Sequence, residues 1–281
     1  MKIAVIGLGL IGGSFCKSIK KYTAHTCWGW DEDEFVLQKA AMEGAIDASV
    51  TPGQLAKADL TIVCLHPETA IDFMLEHQAK FRPGSMVIDT CGVKQSIVEA
   101  VSPALQARGV YFVGAHPMAG REFSGYDYAL AELYQGASFI VTPDAQLPPE
   151  MLAALTELVK ELGFAQVVQT TPLRHDQTIA FTSQLAHVVS NAYIKSPTLQ
   201  NESGFSAGSF LDLTRVAKLN EKLWTELFML NRTALLFELD NLIDHLKEYQ
   251  LVLQQGDSQE LQQLLKEGRL LKEESLEAHR A

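Results

Sequence analysis

Short apolar runs alternate with amphipathic segments over the first 170 residues of the chain. Seven of these runs have the length and composition of buried strands, at residues 2–7, 25–31, 58–65, 85–90, 111–116, 138–143 and 165–170. Segments with helical periodicity lie between most of them. Strands and helices in alternation predict an α/β fold, with a Rossmann-type, doubly wound and mainly parallel sheet that carries helices on both faces.

The pattern changes to continuous helical periodicity from residue 171 onward. The longest helical stretch runs for about 35 residues, from 221 to 255, and is too long and too apolar to serve only as a surface helix. An all-helical domain with such a stripe often pairs with a copy of itself, so we expect a homodimer. The sequence therefore predicts two domains, residues 1–170 and an all-helical C-terminal dimerisation domain at residues 171–281.

Composition and charge exclude several classes of partner. Hydrophobic residues make up 47% of the 281 residues and charged residues 20%, which is typical of a globular protein with a sizeable core. The formal net charge is -11 and no basic block is present, so nucleic acid and anionic membranes have no electrostatic support as partners. No run approaches the ~18 apolar residues of a membrane span.

The four cysteines, Cys16, Cys27, Cys64 and Cys91, have no paired spacing and lie in or beside apolar or glycine-rich runs. This placement is typical of buried, reduced thiols rather than of a disulfide or a metal site. The first apolar run carries glycines at turn spacing and no small-residue cleavage site, which argues against a secretory leader. We therefore expect a cytoplasmic protein without a metal.

Three glycines follow the first predicted strand at the spacing G-x-G-x-x-G. Gly7 permits a tight turn, Gly9 lets the backbone approach a pyrophosphate, and Gly12 lets a helix pack on the strand. Asp31 ends the second predicted strand about 20 residues later, where a carboxylate binds the adenosine ribose and repels a 2′-phosphate. The combination predicts a dinucleotide-binding domain with NAD rather than NADP as its cofactor.

Two alternatives stay open at this motif: a glycine-rich turn without a nucleotide, and Asp31 as the N-cap of the next helix. The loop after residues 58–65 also opens on the ligand crevice. We expect His66 in this loop to line the cofactor site rather than to act as a general base. The residues expected to contact the cofactor are Gly7, Gly9, Leu10, Ile11, Gly12, Asp31, Leu65, His66 and Cys91.

Further motifs follow in order along the chain. "VIDTCGVK" at residues 87–94 and "GAHPMAG" at 114–120 end strands on the same crevice, while "HD" at 175–176 and "LDLTR" at 211–215 lie in the helical half. With the glycine motif and Asp31, this series resembles the prephenate and arogenate dehydrogenases of tyrosine biosynthesis over nearly the whole chain. The resemblance implies NAD-dependent oxidative decarboxylation of prephenate, a small anion, to 4-hydroxyphenylpyruvate, with arogenate as the alternative substrate.

The resemblance also implies roles for three side chains. His116, which by the residues alone is equally a histidine of a tight turn, assists removal of the hydroxyl proton while hydride leaves the ring carbon for NAD. Arg215 holds a substrate carboxylate through two parallel hydrogen bonds, with Asp212 placed to brace it; a surface salt bridge is the alternative. His187 contacts the substrate, although its place on an apolar helix face is also typical of a core histidine.

Two departures from the family pattern bear on the site. Gly92 stands where many members have a serine, so a hydroxyl that would hold His116 and the substrate is absent. Arg121 stands where some have a threonine, and we expect it to place a cation near the second substrate carboxylate; pairing with Glu122 in solvent is the alternative. The predicted substrate site comprises Gly92, Arg121, Glu122, His187 and Arg215.

The "HD" motif, His175 and Asp176, opens the helical half. An acidic residue in the first turn of a helix is favoured by the helix dipole. We therefore expect Asp176 to be a structural cap.

Two other functions are weighed against this one. A 3-hydroxyacid dehydrogenase shares the architecture, but its catalytic lysine precedes an asparagine by four residues, whereas here Asn191 precedes Lys195. A module that only senses NAD without turnover needs neither His116 nor Arg215 beside an intact cofactor site. Both alternatives fit the sequence less well than the dehydrogenase.

Overall fold

The computed structural model describes residues 1–121 and 123–278, with an eight-stranded sheet at the centre. The strands are β1 (Lys2–Ile6), β2 (Thr26–Trp30), β3 (Ala48–Ser49), β4 (Leu60–Val63), β5 (Met86–Asp89), β6 (Tyr111–Pro117), β7 (Ser138–Thr142) and β8 (Gln166–Gln169). All seven predicted runs form strands. The additional strand, β3, was not predicted because two residues are too few to carry an alternating pattern.

The strands lie in the order β3-β2-β1-β4-β5-β6-β7-β8. Strands β1 to β6 are parallel, which confirms the predicted mainly parallel sheet. Strand β7 is antiparallel to β6, and β8 is parallel to β7. The chain leaves β1 for β2 and β3 on one side and returns to β4 on the other. This reversal creates a switch point at the carboxyl ends of β1 and β4, where open sheets of this kind form a ligand crevice.

Helices cover both faces of the sheet, as predicted for a doubly wound fold. One face is packed by buried side chains of the first and fifth helices, including Phe15, Ile19 and Leu158. The other face is packed by the third and fourth helices, including Met74 and Val101. These helices are α1 (Leu10–Tyr22), α2 (Glu34–Met42), α3 (Pro67–Glu76), α4 (Gln95–Gln106) and α5 (Pro149–Glu161).

The chain after residue 171 is helical, as predicted. Its elements are α6 (Pro172–Ile179), a π-helical segment (Ala180–Leu185), α7 (Ala186–Tyr193), α8 (Gly208–Thr214), α9 (Glu221–Leu230), α10 (Arg232–Gln255) and α11 (Ser258–Ala278). Short 3₁₀ turns occur at Pro52–Lys57, Gln78–Lys80, Tyr126–Tyr128, Pro197–Asn201 and Arg215–Ala217. In the described part of the chain, no helix combines the length and the apolar character needed to cross a bilayer.

The long periodic stretch from 221 to 255 is two helices rather than one. Helix α9 ends at Leu230 and α10 begins at Arg232. Asn231 between them is buried, and its side-chain amide donates to the backbone carbonyl of Asp176 and to the side-chain oxygen of Gln184, both at 2.8 Å. Because a buried amide must find such partners, the backbone is fixed here by a polar contact that apolar periodicity does not reveal.

The chain divides into two compact units, Met1–Arg232 and the remainder from Thr233 onward. The first unit contains the whole sheet together with helices α6 to α9. The candidate site residues described below all lie in this first unit.

Candidate active site

The loop after β1 is shaped for close approach of a ligand to its backbone. Gly7 has a φ of +83°, and a Cβ there would lie 2.7 Å from the carbonyl oxygen of Cys64. A Cβ on Gly12 would lie 1.8 Å from the carbonyl oxygen of Gly7, so only glycine lets α1 pack this tightly on the loop. A Cβ on Gly9 would meet nothing within 4 Å. The backbone at Gly9, directly before α1, therefore has free space beside it, which an anion site at a helix N-terminus requires.

Asp31 ties the glycine loop to the end of β2. One of its oxygens accepts the backbone N–H of Leu8 at 2.6 Å, and the other accepts that of Asp33 at 2.9 Å. The N-cap of α2 is Asp33, whose side chain accepts the N–H of Phe35. The structure therefore gives the capping role to Asp33, and Asp31 stands at the mouth of the crevice.

The remaining predicted cofactor residues surround the same loop. Leu10 and Ile11 form the first turn of α1 and are partly buried. The side chain of Leu65 lies against the first glycine of the loop, and His66 is exposed at the N-cap position of α3. Cys91 is buried, and its thiol donates to the carbonyl of Leu65 at 3.5 Å. The carboxyl ends of β1, β4 and β5 thus bring these side chains together.

A chain of hydrogen bonds joins His116, near the carboxyl end of β6, to a buried carboxylate. Nδ1 of His116 lies 2.9 Å from Nε2 of His175, and Nδ1 of His175 lies 2.7 Å from Oδ1 of Asp176. Asp176 also accepts the backbone N–H groups of Lys94, at 2.7 Å, and Gln95, at 2.9 Å. No local pattern of residues indicates that these side chains meet.

The capping role expected for Asp176 is present, but on another helix. Helix α6, which contains Asp176, is capped by Thr171, whose hydroxyl accepts the N–H of Arg174 at 3.2 Å. Asp176 instead covers the N-terminus of α4 through its two backbone hydrogen bonds. The expectation that it caps its own first turn was wrong, because a side chain one turn further along points out of the helix toward α4.

Burial controls the protonation of both imidazoles. It lowers the pKa of His116 well below the ordinary value, and the ammonium of Lys94 lowers it further. Burial also lowers the pKa of His175, against the opposing effect of Asp176. Both rings are therefore neutral at pH 7. A neutral imidazole at a crevice is able to take a proton from a ligand hydroxyl.

A buried ion pair braces the strand ends beside this histidine. The ammonium of Lys94 donates to Asp89, and both side chains are fully buried. The other oxygen of Asp89 accepts the N–H of Ala115 at 3.1 Å, one residue before His116. These two residues were missed as site residues, although they are the acid and the lysine of "VIDTCGVK" and that spacing was the signal that could have found them.

On the helical side, His187 lies in the first turn of α7, directly after the π-helical segment, a distortion that is frequent at functional sites. Its Nδ1 donates to the carbonyl of Ser183 at 2.9 Å, and its ring stacks on Trp224 with centroids 3.7 Å apart. Burial lowers the pKa of His187, and the nearby guanidinium of Arg215 adds to the effect. Trp224 was missed because its position in the apolar pattern of α9 is that of an ordinary packing residue.

Arg215 and Gly92 approach the two histidines. Arg215 directly follows α8 and is exposed. A Cβ on Gly92 would lie 4.0 Å from Cε1 of His116 and 3.4 Å from Cδ2 of Leu227 in α9. Helix α9 therefore lies close to Gly92 and His116 through its residue Leu227.

The loop after β6 holds the two remaining predicted substrate residues. Arg121 is exposed, and its guanidinium carbon lies 5.5 Å from the centroid of the Phe123 ring, which stacks on Tyr128. Glu122 lies outside the described residues. The guanidinium is thus held over an aromatic ring of the same loop.

Two family models together match most of the chain. The nucleotide-binding domain of prephenate dehydrogenase matches residues 15–169, and the dimerization domain of prephenate dehydrogenase matches residues 171–267. The chain belongs to the prephenate dehydrogenase family. The resemblance drawn from the motifs is confirmed, and so is the predicted class of enzyme, a nucleotide-dependent dehydrogenase.

Relatives in this family extend over nearly the whole chain. The cyclohexadienyl dehydrogenase of Zymomonas mobilis is 33% identical over 279 residues, covering 94% of this chain and 92% of that protein. The prephenate dehydrogenase of Lactococcus lactis is 30% identical over 290 residues, covering 99% of this chain and 78% of that protein. Their names specify different substrates, so the relatives share the reaction class rather than one substrate.

Solved structures of the family share the fold. The arogenate dehydrogenase of Synechocystis has a TM-score of 0.84 at 28% identity and covers 98% of this chain and 100% of its own. The prephenate dehydrogenase of A. aeolicus, solved with hydroxyphenyl propionate and NAD+, has a TM-score of 0.85 at 25% identity and covers 98% of both chains. A 3-hydroxyisobutyrate dehydrogenase of Mycobacterium tuberculosis reaches only 0.55 at 19% identity, over 78% of this chain and 71% of its own. That similarity concerns the fold alone.

Proposed function

We propose that the chain catalyses the NAD-dependent oxidative decarboxylation of prephenate to 4-hydroxyphenylpyruvate in tyrosine biosynthesis. The observation that carries this proposal is the position of His116, whose Nδ1 lies 2.9 Å from Nε2 of His175 at the same end of the sheet as the glycine loop. The reaction needs a base because the 4-hydroxyl must lose its proton while its carbon becomes a carbonyl. His116 takes that proton.

NAD is the cofactor, as in the A. aeolicus structure. The glycine loop and the N–H groups of α1 fit its pyrophosphate, because a Cβ on Gly9 would meet nothing within 4 Å and the space beside this residue is free. Each oxygen of Asp31 accepts one backbone N–H and keeps a lone pair for a ribose hydroxyl. The same carboxylate repels the 2′-phosphate of NADP. When bound, NAD accepts the hydride from the ring carbon.

Two cations fit the two carboxylates of prephenate. Arg215 suits one of them, because a guanidinium holds a carboxylate through two parallel hydrogen bonds and so fixes its orientation. Arg121, over the ring of Phe123, suits the other. His187 contacts the substrate side chain. Loss of the ring carboxylate as CO₂ creates an aromatic ring, so the protein need supply little driving force for that step.

Arogenate is a second candidate substrate, since it carries an ammonium group where prephenate carries a ketone. One observation favours it. Nδ1 of His187 donates to Ser183, so the neutral ring offers only the lone pair of Nε2. A lone pair accepts a hydrogen bond from an ammonium group, whereas a ketone requires a donor. His187 must therefore be protonated before it donates to the keto oxygen of prephenate.

One experiment tests substrate and cofactor together. The purified protein is assayed with prephenate and with arogenate, each with NAD and with NADP, by the absorbance of the reduced nicotinamide. We expect turnover with NAD and a higher kcat/KM for prephenate. A higher value for arogenate would replace the first candidate with the second. No reduction of either cofactor with either substrate would overturn the proposed function.

We also propose a homodimer in the cytoplasm, in which residues 1–170 bind NAD and residues 171–281 bind substrate and form the dimer. The dimerization-domain match supports this, as does α10, which by itself exposes Leu236, Phe237, Leu246, Leu251 and Leu253. The four cysteines are free thiols, which suits a reducing compartment. Light scattering after size exclusion should give twice the mass of the chain, and the mass of one chain would contradict the dimer.

A further inference from the structure

Two side chains beside His116 are buried and have no part in the reaction described so far. His175 is 2% exposed and Asp176 is 3% exposed. His175 lies 59 residues from His116 in the chain, yet the fold joins their rings by a hydrogen bond. Because burying an imidazole and a carboxylate costs free energy unless their hydrogen bonds are satisfied, this placement needs a physical reason.

The positions of the hydrogens follow from the carboxylate. Asp176 accepts two backbone N–H groups, and an ionised carboxylate only accepts, so it cannot donate to His175. Nδ1 of His175 must therefore carry the hydrogen of the 2.7 Å bond to Asp176. A neutral His175 then has its lone pair on Nε2 and accepts from Nδ1 of His116. This leaves Nε2 of His116 with a lone pair, which is the atom that a base uses.

Among the residues that the structure describes, none offers a comparable partner on the opposite side of the His116 ring. Gly92 brings no hydroxyl, and the nearest atoms to a Cβ built there belong to Leu227. The Asp176 side is firmly held, because Asn231 donates to the backbone carbonyl of Asp176 at 2.8 Å. In this chain the orientation of His116 therefore depends on its Nδ1 contact.

We propose that His175 and Asp176 are positioning residues that fix His116 in the tautomer with a free Nε2 and stabilise the imidazolium formed when it takes the substrate proton. This inference rests on the proposed function for its catalytic part. The hydroxyl proton moves to Nε2 of His116, the ring becomes positive, and its Nδ1–H keeps donating to His175. No second proton transfer is needed, since the Asp176 carboxylate stabilises the charge through the neutral His175 ring.

Substitution of His175 tests the proposal by kinetics. His175→Phe removes the acceptor, whereas His175→Gln keeps a carbonyl oxygen near the position of Nε2. We expect His175→Phe to lower kcat about 10²-fold with the substrate KM and the NAD affinity little changed, and His175→Gln to recover at least tenfold of that loss. His77→Gln, at the histidine that follows α3, is the matched control and should keep kcat. A normal kcat in His175→Phe, or equal losses in both variants, would overturn the proposal.

A second measurement does not depend on turnover or on a stable variant. Nitrogen NMR of ¹⁵N-histidine-labelled wild-type protein distinguishes ring nitrogens that carry a hydrogen from those that do not. We expect hydrogens on Nδ1 of both His116 and His175. A hydrogen on Nε2 of His116 would overturn the tautomer assignment. If the spectrum agrees but neither substrate is oxidised, the proposed function fails while the hydrogen-bond chain stands.

Discussion

Two histidines serve the candidate site from opposite halves of the molecule, and they are held in different ways. His116, from the sheet, is bonded to the side chain of His175 and through it to Asp176. His187, from the helical half, is bonded to a backbone carbonyl of its own helix and stacked on Trp224. Burial lowers the pKa of both rings, so their protonation at rest is the same.

The difference lies in what happens when each ring gains a proton. His116 is bonded through His175 to the carboxylate of Asp176, which stabilises a positive charge on the His116 ring. His187 is bonded instead to the neutral carbonyl of Ser183, and the nearby guanidinium of Arg215 opposes a second positive charge. His116 is therefore suited to gain and lose a proton during a reaction, whereas His187 at rest offers a ligand only the lone pair of its Nε2.

His116→Asn should have the largest effect on activity. The variant keeps a polar side chain of smaller size but removes the base, so kcat should fall by about 10²-fold or more while the affinity for NAD is nearly unchanged. Steady-state kinetics and NAD titration measure the two effects separately. His77→Asn, at the histidine that follows α3, is the control and should keep its activity. A normal kcat in His116→Asn would show that His116 is not the base and has only a structural role in a turn.

The pH dependence of kcat/KM tests whether His116 is the group that takes the proton. Only the neutral form of His116 takes a proton, so activity is full above its pKa and falls about tenfold per pH unit below it. Because burial lowers this pKa, with the ammonium of Lys94 adding to the effect, the acid limb should lie well below the ordinary value of 6.5. A limb at or above 6.5 would show that another group controls the reaction.

His187→Phe should have a smaller effect of a different kind. Phenylalanine keeps the stacking on Trp224 but loses both ring nitrogens, that is, the bond from Nδ1 to Ser183 and the Nε2 contact with the substrate. We therefore expect the substrate KM to rise about tenfold with kcat nearly unchanged. The acid limb of kcat/KM should stay where it is in the wild type. Equal losses of kcat in His187→Phe and His116→Asn would erase the distinction between the two histidines.

The sheet half was the easier half to predict, for a physical reason. A buried parallel strand is a short continuous apolar run, and the glycine loop needs glycines at fixed spacing, so both leave local marks in the sequence. Gly7 and Gly12 are required by contacts within the loop itself and with the adjacent strand end. The position of His116 at the mouth of the crevice followed from the same pattern.

The contacts that hold the site together could not be predicted in this way. His116 and His175 are 59 residues apart, and Asp176 bonds to Lys94 82 residues before it. Such pairs leave no periodic mark, because each residue also fits an ordinary local role. The break at Asn231 was hidden for the same reason, since one buried amide interrupts an apolar pattern without changing its period.

Arg121→Ala should give the smallest effect. The residue is exposed and lies over Phe123, so solvent screens its charge and we expect the substrate KM to rise only about threefold, with kcat and NAD affinity unchanged. Added salt should shrink the difference between the two proteins, because screening weakens an exposed cation further. Arg108→Ala, at an exposed arginine before the start of β6 and so at the opposite edge of the sheet, is the matched control. If KM stays unchanged in Arg121→Ala, Arg121 does not hold the second substrate carboxylate.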